Sequence, residues 1–109
     1  MTAKYELTDE TTILDLRRIR ALRDIPRRGV KAGDLGGWVA GEDNLAQDGD
    51  AWVSGDAGVY GEARVYGDAW VYGKAWVDGA ARVYGDAWVY GNAWVSGDAG
   101  VYGEARVYG

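Results

Sequence analysis

The sequence contains no cysteine and no histidine, and each absence removes a class of chemistry. Without cysteine the chain can form neither a disulfide nor a thiol nucleophile. Without histidine it lacks the side chain best suited to general base catalysis near neutral pH, and both absences together remove the usual transition-metal ligands. We therefore expect a protein that is not an enzyme and that holds neither a metal nor a cofactor.

Long apolar runs are missing too, and the 109 residues include one proline and no phenylalanine. No stretch is apolar enough to span a membrane, and the polar residues after Met1 do not form a signal peptide. These features predict a cytoplasmic protein that binds no membrane. Glycine is abundant, with 18 residues, and Ala and Val supply most of the 48% hydrophobic content. Small side chains in this proportion are typical of a solenoid with a thin core.

A six-residue unit, typified by Gly-Asp-Ala-Trp-Val-Tyr, is repeated ten times between Gly49 and Tyr108. Its Ala-x-Val triplet predicts a short strand with Ala and Val on one face and the middle residue on the other. A glycine every six residues predicts a bend with positive φ. Three bends close a prism, so each coil should contain 18 residues.

Two parts of the sequence resemble a known family. Read from valine, the unit has an aliphatic residue and a small residue four places on, which resembles the hexapeptide-repeat family. The segments KYELTDET (4–11), RALRD (20–24) and KAGDLGGWV (31–39) resemble the N-terminal cap of YdcK-type hexapeptide proteins of bacteria and phages. The resemblance implies an all-β fold: a left-handed parallel β-helix of triangular section over residues 37–109, with a small β-rich cap over residues 1–36. It also implies a phage or prophage source.

Local patterns leave the cap open to two interpretations. Residues 4–7 and 16–22 read as two strands of a hairpin, whereas Ile13, Leu16, Ile19 and Leu22 also have helical spacing. The resemblance favours the strands.

The β-helix is expected to begin before the regular repeats. Val39 and Leu45 lie on the same six-residue grid as Ala51, which predicts a less regular first coil that starts near Gly37. At Gly109 we expect the last coil to offer its edge to a second molecule or to further residues.

The middle residue of each Ala-x-Val triplet faces outward, and outward residues 18 apart in sequence should lie above one another. They therefore form three walls with different side chains. These walls carry Trp52, Trp70, Trp88 and Arg106; Gly58, Trp76 and Trp94; and Arg64, Arg82 and Gly100. The slot after valine places Tyr72 and Tyr90 on one corner and Tyr66, Tyr84 and Tyr102 on another.

Two interpretations of the aromatic ladders are open. Stacked rings can stabilise a thin solenoid by themselves. So many exposed aromatic side chains would also form larger apolar patches than a soluble monomer usually shows, which predicts a homotrimer or homodimer. The predicted interface consists of Trp52, Trp70, Trp88, Trp76, Trp94, Tyr72 and Tyr90.

The wall with Arg64 and Arg82 predicts different chemistry. Guanidinium groups beside aromatic rings can hold an anion and a flat ring, so a nucleotide-like ligand is expected on Arg64, Arg82, Tyr66, Tyr84 and Tyr102. The alternative is that both arginines pair with Glu62 and neighbouring aspartates.

Charge is unevenly distributed along the chain. Residues 15–31 hold seven basic and two acidic side chains, a charge of +5, whereas residues 49–109 hold four basic and eight acidic ones, a charge of −4. Because no nucleic-acid motif is present, we expect the basic segment to pair with the acidic repeats within or between subunits and nucleic acid to be an unlikely partner.

Three functions remain at this point. The first is a non-catalytic, self-associating β-helix that presents aromatic ladders to a protein partner such as a host protein. The second is a phage protein that binds or sequesters a nucleotide-like ligand. The third is a degenerate homologue of hexapeptide acyltransferases, whose activity is not expected here because that family uses a histidine base and this chain has none.

Overall fold

The computed structural model of the chain describes residues 3–12 and 14–109. Within them the regular structure is β-strand apart from two 3-10 helices, Pro26–Arg28 and Glu42–Asn44, so the predicted all-β fold is confirmed. The strands are β1 (Tyr5–Thr11), β2 (Arg17–Ala21), β3 (Leu35–Val39), β4 (Trp52–Val53), β5 (Gly58–Val59), β6 (Arg64–Val65), β7 (Trp70–Val71), β8 (Trp76–Val77), β9 (Arg82–Val83), β10 (Trp88–Tyr90), β11 (Trp94–Val95), β12 (Gly100–Val101) and β13 (Arg106–Tyr108).

The strands form three sheets, one on each wall of a solenoid of about four coils. The cap sheet has the order β1-β2-β3-β5-β8-β11, the tryptophan sheet β4-β7-β10-β13 and the arginine sheet β6-β9-β12. Strands of successive coils pair in parallel, and in the regular coils the partners are 18 residues apart, as in Trp52 with Trp70 and Arg64 with Arg82. The predicted coil length is therefore confirmed.

Alanine and valine fill the interior because they occupy the inward slots of every unit. From Ala51 to Val89 each of these inward side chains is fully buried. The unit glycines from Gly49 to Gly103 have φ between 63° and 72°, as expected for the corner bends. A Cβ on Gly49 would also lie 2.5 Å from the carbonyl oxygen of Gly67 in the next coil, so this corner has no room for a side chain.

The first coil is two residues longer than the others. Val39 pairs with Val59, and Leu45 with Val65, so each partner is 20 residues away. The prediction that Val39 and Leu45 share the alanine slot is therefore wrong, since both stack on the valine ladder. The extra residues lie between Leu45 and Val53. The predicted irregular first coil is confirmed.

The cap continues one wall of the solenoid. β1 and β2 pair antiparallel, as does β2 with β3, so the predicted strands are confirmed and the helical alternative is wrong. Ile13, one residue of that alternative, lies outside the described residues. The predicted boundary between residues 36 and 37 falls inside β3, whose other edge pairs in parallel with β5. Cap and coils therefore share one sheet.

Candidate functional site

Trp52 lies in the core and not on an outer wall. Its side chain is 1% exposed, under the Tyr5 ring, whose centre is 6.4 Å away at an interplanar angle of 76°. Gly36 covers it as well, since a Cβ there would lie 2.8 Å from Trp52 Cζ2. The expectation that Trp52 faces a second subunit is therefore wrong, because the cap already occupies that position.

The chain also covers the other two tryptophans of the tryptophan sheet. The Arg28 guanidinium lies 5.2 Å from the ring centre of Trp70, and that of Arg106 lies 4.2 Å from Trp88. Both tryptophans are half-buried. Cation–π contacts of this kind stabilise the arginine positions and leave less of each ring free for a partner.

Ion pairs hold the basic segment on the acidic repeats. Arg27 Nη1 lies 2.9 Å from Asp68 Oδ2, and Arg28 Nη2 donates to the backbone carbonyl of Asp68. Arg23 Nη1 lies 3.9 Å from Asp50 Oδ1. Burial lowers the pKa of Arg28. The predicted pairing of basic segment and acidic repeats is confirmed, and these pairs form within one chain.

The tyrosines of both corners stack as their spacing predicts. Tyr66 and Tyr84 have ring centres 4.9 Å apart at an angle of 3°, and Tyr72 and Tyr90 are 5.0 Å apart at 5°. Tyr102 continues the first stack below Tyr84. Most ring faces in these ladders are therefore in contact with each other.

A cleft lined by aromatic side chains lies on the cap sheet. Leu14, Tyr60, Trp76 and Trp94 line a cleft of about 160 Å³. Leu14 is 62% and Trp94 67% exposed. Trp94 Nε1 donates to Asp78 Oδ2 at 3.1 Å, which orients the exposed indole.

Arg64 and Arg82 are neighbours in register on the arginine sheet, and both side chains are exposed. Among the residues that the structure describes, no carboxylate oxygen lies within 4.0 Å of either guanidinium. The expected pairing of these arginines with Glu62 or neighbouring aspartates is therefore wrong. Two like charges stack here without a counter-charge in contact.

Two clefts flank this arginine pair. One has a volume of about 400 Å³ and the other about 320 Å³, and Asp43, Arg64 and Arg82 line both. Glu42 and Tyr66 line the larger cleft, and Glu62 the smaller one. Each cleft therefore combines carboxylates with two guanidinium groups.

Asn44 fixes the 3-10 helix that carries Glu42 and Asp43. Its buried Oδ1 accepts from the backbone N–H of Ala40 and Gly41, each at 2.9 Å. Its Nδ2 donates to the carbonyls of Ala63 at 2.8 Å and Gly61 at 3.2 Å, beside β6. A fully bonded buried amide of this kind holds the 3-10 helix with Glu42 and Asp43 rigidly against the arginine sheet.

Tyr5, the first residue of β1, and Lys4, which precedes it, support the same region. Tyr5 Oη lies 2.5 Å from the carbonyl oxygen of Leu45 and 3.1 Å from that of Glu42. Burial, with the nearby charges of Glu42 and Asp43, raises the pKa of Tyr5 well above its ordinary value. Buried Lys4 donates from Nζ to the Ala51 carbonyl at 2.6 Å.

The periodicity of the sequence did not indicate that Lys4, Tyr5 and Asn44 are buried structural residues. All three precede the regular units, so the repeat provides no partner for them. The signal available in the sequence is the break in spacing between Leu45 and Val53, where Gln47 Oε1 accepts from the backbone N–H of Lys4 at 2.8 Å.

Within residues 3–12 and 14–109, no cluster of acidic side chains is arranged to hold a metal ion. The same part of the chain has no helix of the length and apolarity needed to cross a bilayer.

Part of the repeat region is similar to a known repeat family. The family model described as the YdcK beta solenoid repeat matches residues 63–79 and 81–97. These matches cover less than half of the chain, and they begin at the alanines that precede Arg64 and Arg82. No curated protein matches the sequence. The chain is thus a β-solenoid in which two successive segments are similar to the YdcK repeat.

Proposed function

We propose that this β-solenoid is a non-catalytic binding protein that holds a small anionic ligand on the arginine sheet. The observation that carries the proposal is the exposed pair of Arg64 and Arg82, in register and, among the residues that the structure describes, without a carboxylate in contact. Like charges directly opposite each other destabilise a sheet. A phosphate or carboxylate between the two guanidinium groups would relieve that repulsion and accept charge-assisted hydrogen bonds.

The surroundings of the pair support a small ligand. The larger cleft, at about 400 Å³, has the size typical of small-molecule sites. The lack of histidine and cysteine in the sequence supports binding without catalysis.

Thermal unfolding with sodium pyrophosphate tests this function. We expect pyrophosphate to raise the melting temperature more than sodium chloride at the same ionic strength. Arg82→Gln should abolish the difference and, without ligand, raise the melting temperature, because it removes the like-charge pair. Lys74→Gln is the matched control, since Lys74 is exposed and lies between β7 and β8, away from the arginine sheet. Equal responses of the native chain and Arg82→Gln would contradict the proposal.

A second candidate function is self-association as a homodimer or homotrimer that presents aromatic surface to a protein partner. The exposed Leu14 and Trp94 around the cleft on the cap sheet favour it. With Trp52 buried, the surface available for this role centres on Trp76 and Trp94, and Tyr72 and Tyr90 stay predicted contributors.

Sedimentation velocity at micromolar concentration tests self-association. We expect an oligomer that Trp94→Ser dissociates and that Tyr102→Ser, an equally exposed aromatic change on another corner, leaves intact. A native chain that sediments as a monomer would rule this candidate out.

Several finer features belong to the same proposal and rest on the sequence alone. They are a phage or prophage source, a left-handed sense of the coils, a cytoplasmic location and descent from hexapeptide acyltransferases without their activity.

A further inference from the structure

The larger cleft on the arginine sheet is lined by charges of both signs. Glu42 and Asp43 line it together with Arg64 and Arg82. The screening length at physiological salt is about 8 Å, so carboxylates in the same cleft weaken the attraction of the arginines for a simple anion. A ligand with a negative group at one end and N–H donors at the other would satisfy both parts of the lining.

Tyr66 adds a free aromatic face to this cleft. It is the first ring of its stack, with Tyr84 against one face at 4.9 Å. The equivalent position in the first coil is Ala46. Its backbone N–H donates to the Val65 carbonyl in the next coil, and the backbone N–H of Tyr66 donates to the Val83 carbonyl in the same way. Alanine is too small to cover a ring, and Ala46 and Tyr66 line the same cleft. Among the described residues, Tyr84 is therefore the one aromatic side chain that stacks on Tyr66, and no ring covers its other face.

We propose that the ligand is a nucleoside diphosphate, which deepens the binding function proposed above and rests on it. The diphosphate lies between Arg64 and Arg82, whose strands are about 4.8 Å apart as in any β-sheet. The base stacks on the free face of Tyr66 in the space over Ala46. Its amino groups donate to Glu42 or Asp43, which the buried Asn44 amide holds in place.

Isothermal titration calorimetry with adenosine 5′-diphosphate and with pyrophosphate separates the base from the anion. Stacking of a base on an aromatic side chain contributes about 1–3 kcal/mol, so the nucleotide should bind about 5-fold to 150-fold tighter than pyrophosphate. Tyr66→Leu should reduce nucleotide affinity to that of pyrophosphate and leave pyrophosphate binding unchanged. Tyr66→Phe should retain the preference, and so should Tyr108→Leu, an exposed ring at the end of the other tyrosine stack.

Ala46→Phe tests the same site without removing a native contact of Tyr66. The new ring would extend the tyrosine stack into the base position, so the fold should be retained and the nucleotide preference lost. Native binding of both ligands with equal affinity would overturn the nucleotide inference and leave the anion-binding function standing. A preference that survives both Tyr66→Leu and Ala46→Phe would also overturn it, and a chain that binds neither ligand would overturn both proposals.

Discussion

Single residues that look equivalent in the repeat differ in burial. Trp52 and Trp94 occupy the same slot of their units, yet one is enclosed by the cap and the other is largely exposed. The cause is Tyr5 and Gly36, which reach only the first coil. Because both contacts join residues distant in sequence, the six-residue period could not have shown the difference.

Truncation of these two tryptophans should therefore have very different effects. Trp52→Ala removes a buried aromatic side chain and should lower the free energy of unfolding by about 3–5 kcal/mol. Trp94→Ala should lower it by less than about 1 kcal/mol, as for a surface substitution. Urea unfolding followed by far-UV circular dichroism measures both, and similar losses in the two variants would show that Trp52 is not enclosed.

Among the elements, β1 is anchored on the first coil by the buried amine of Lys4, the residue that precedes the strand. Lys4 Nζ contacts the carbonyls of Ala51 and, at 3.4 Å, Asp48. Desolvation is the main cause that lowers the pKa of Lys4 from 10.5 to about 8, helped by the nearby charge of Arg23. The folded chain thus gives up this proton more readily than the unfolded chain.

This pKa gives the unfolding free energy a defined pH dependence. Between pH 8 and 10.5 the unfolded chain binds more protons at Lys4 than the folded one, so stability rises with pH. The rise should be about 2 kcal/mol between pH 7 and 9.5, before the raised pKa of Tyr5 acts in the opposite direction above pH 10.

Urea unfolding at intervals from pH 7 to 9.5 measures this rise. Lys4→Met should remove it, and Lys74→Met should keep it, because Lys74 is exposed. Stability that is flat or falls over this range in the native chain would show that the Lys4 ammonium is not desolvated.

The elements also differ in how far sequence could predict them. The regular strands and corner glycines followed from the period, because each unit repeats the same local chemistry. The sequence predicted a ligand surface on Arg64 and Arg82, but it did not predict the carboxylates of Glu42 and Asp43 beside them. The position of these carboxylates depends on Asn44, which bonds to Ala63, 19 residues away, and on the longer first coil. Neither feature recurs in the six-residue period, so the repeat could not predict it.

At the scale of the whole molecule, opposite charges on the cap and the repeats explain which surfaces stay free. The basic segment is occupied by Asp50, Asp68 and the Trp70 ring, so it covers the tryptophan sheet. The arginine sheet keeps its charges uncovered. Sequence could predict the two oppositely charged regions but not which wall the cap would cover, since that choice is made by tertiary contacts.

The location of bound nucleotide shows whether the arginine sheet is the binding surface. We propose recording ¹H–¹⁵N correlation spectra of the full chain during titration with adenosine 5′-diphosphate. We expect the largest shifts at the amides of Asp43, Ala46, Arg64, Tyr66 and Arg82, with the amides around Trp76 and Trp94 unchanged. Shifts centred on the cap sheet or the tryptophan sheet, or no shifts at millimolar nucleotide, would contradict this expectation.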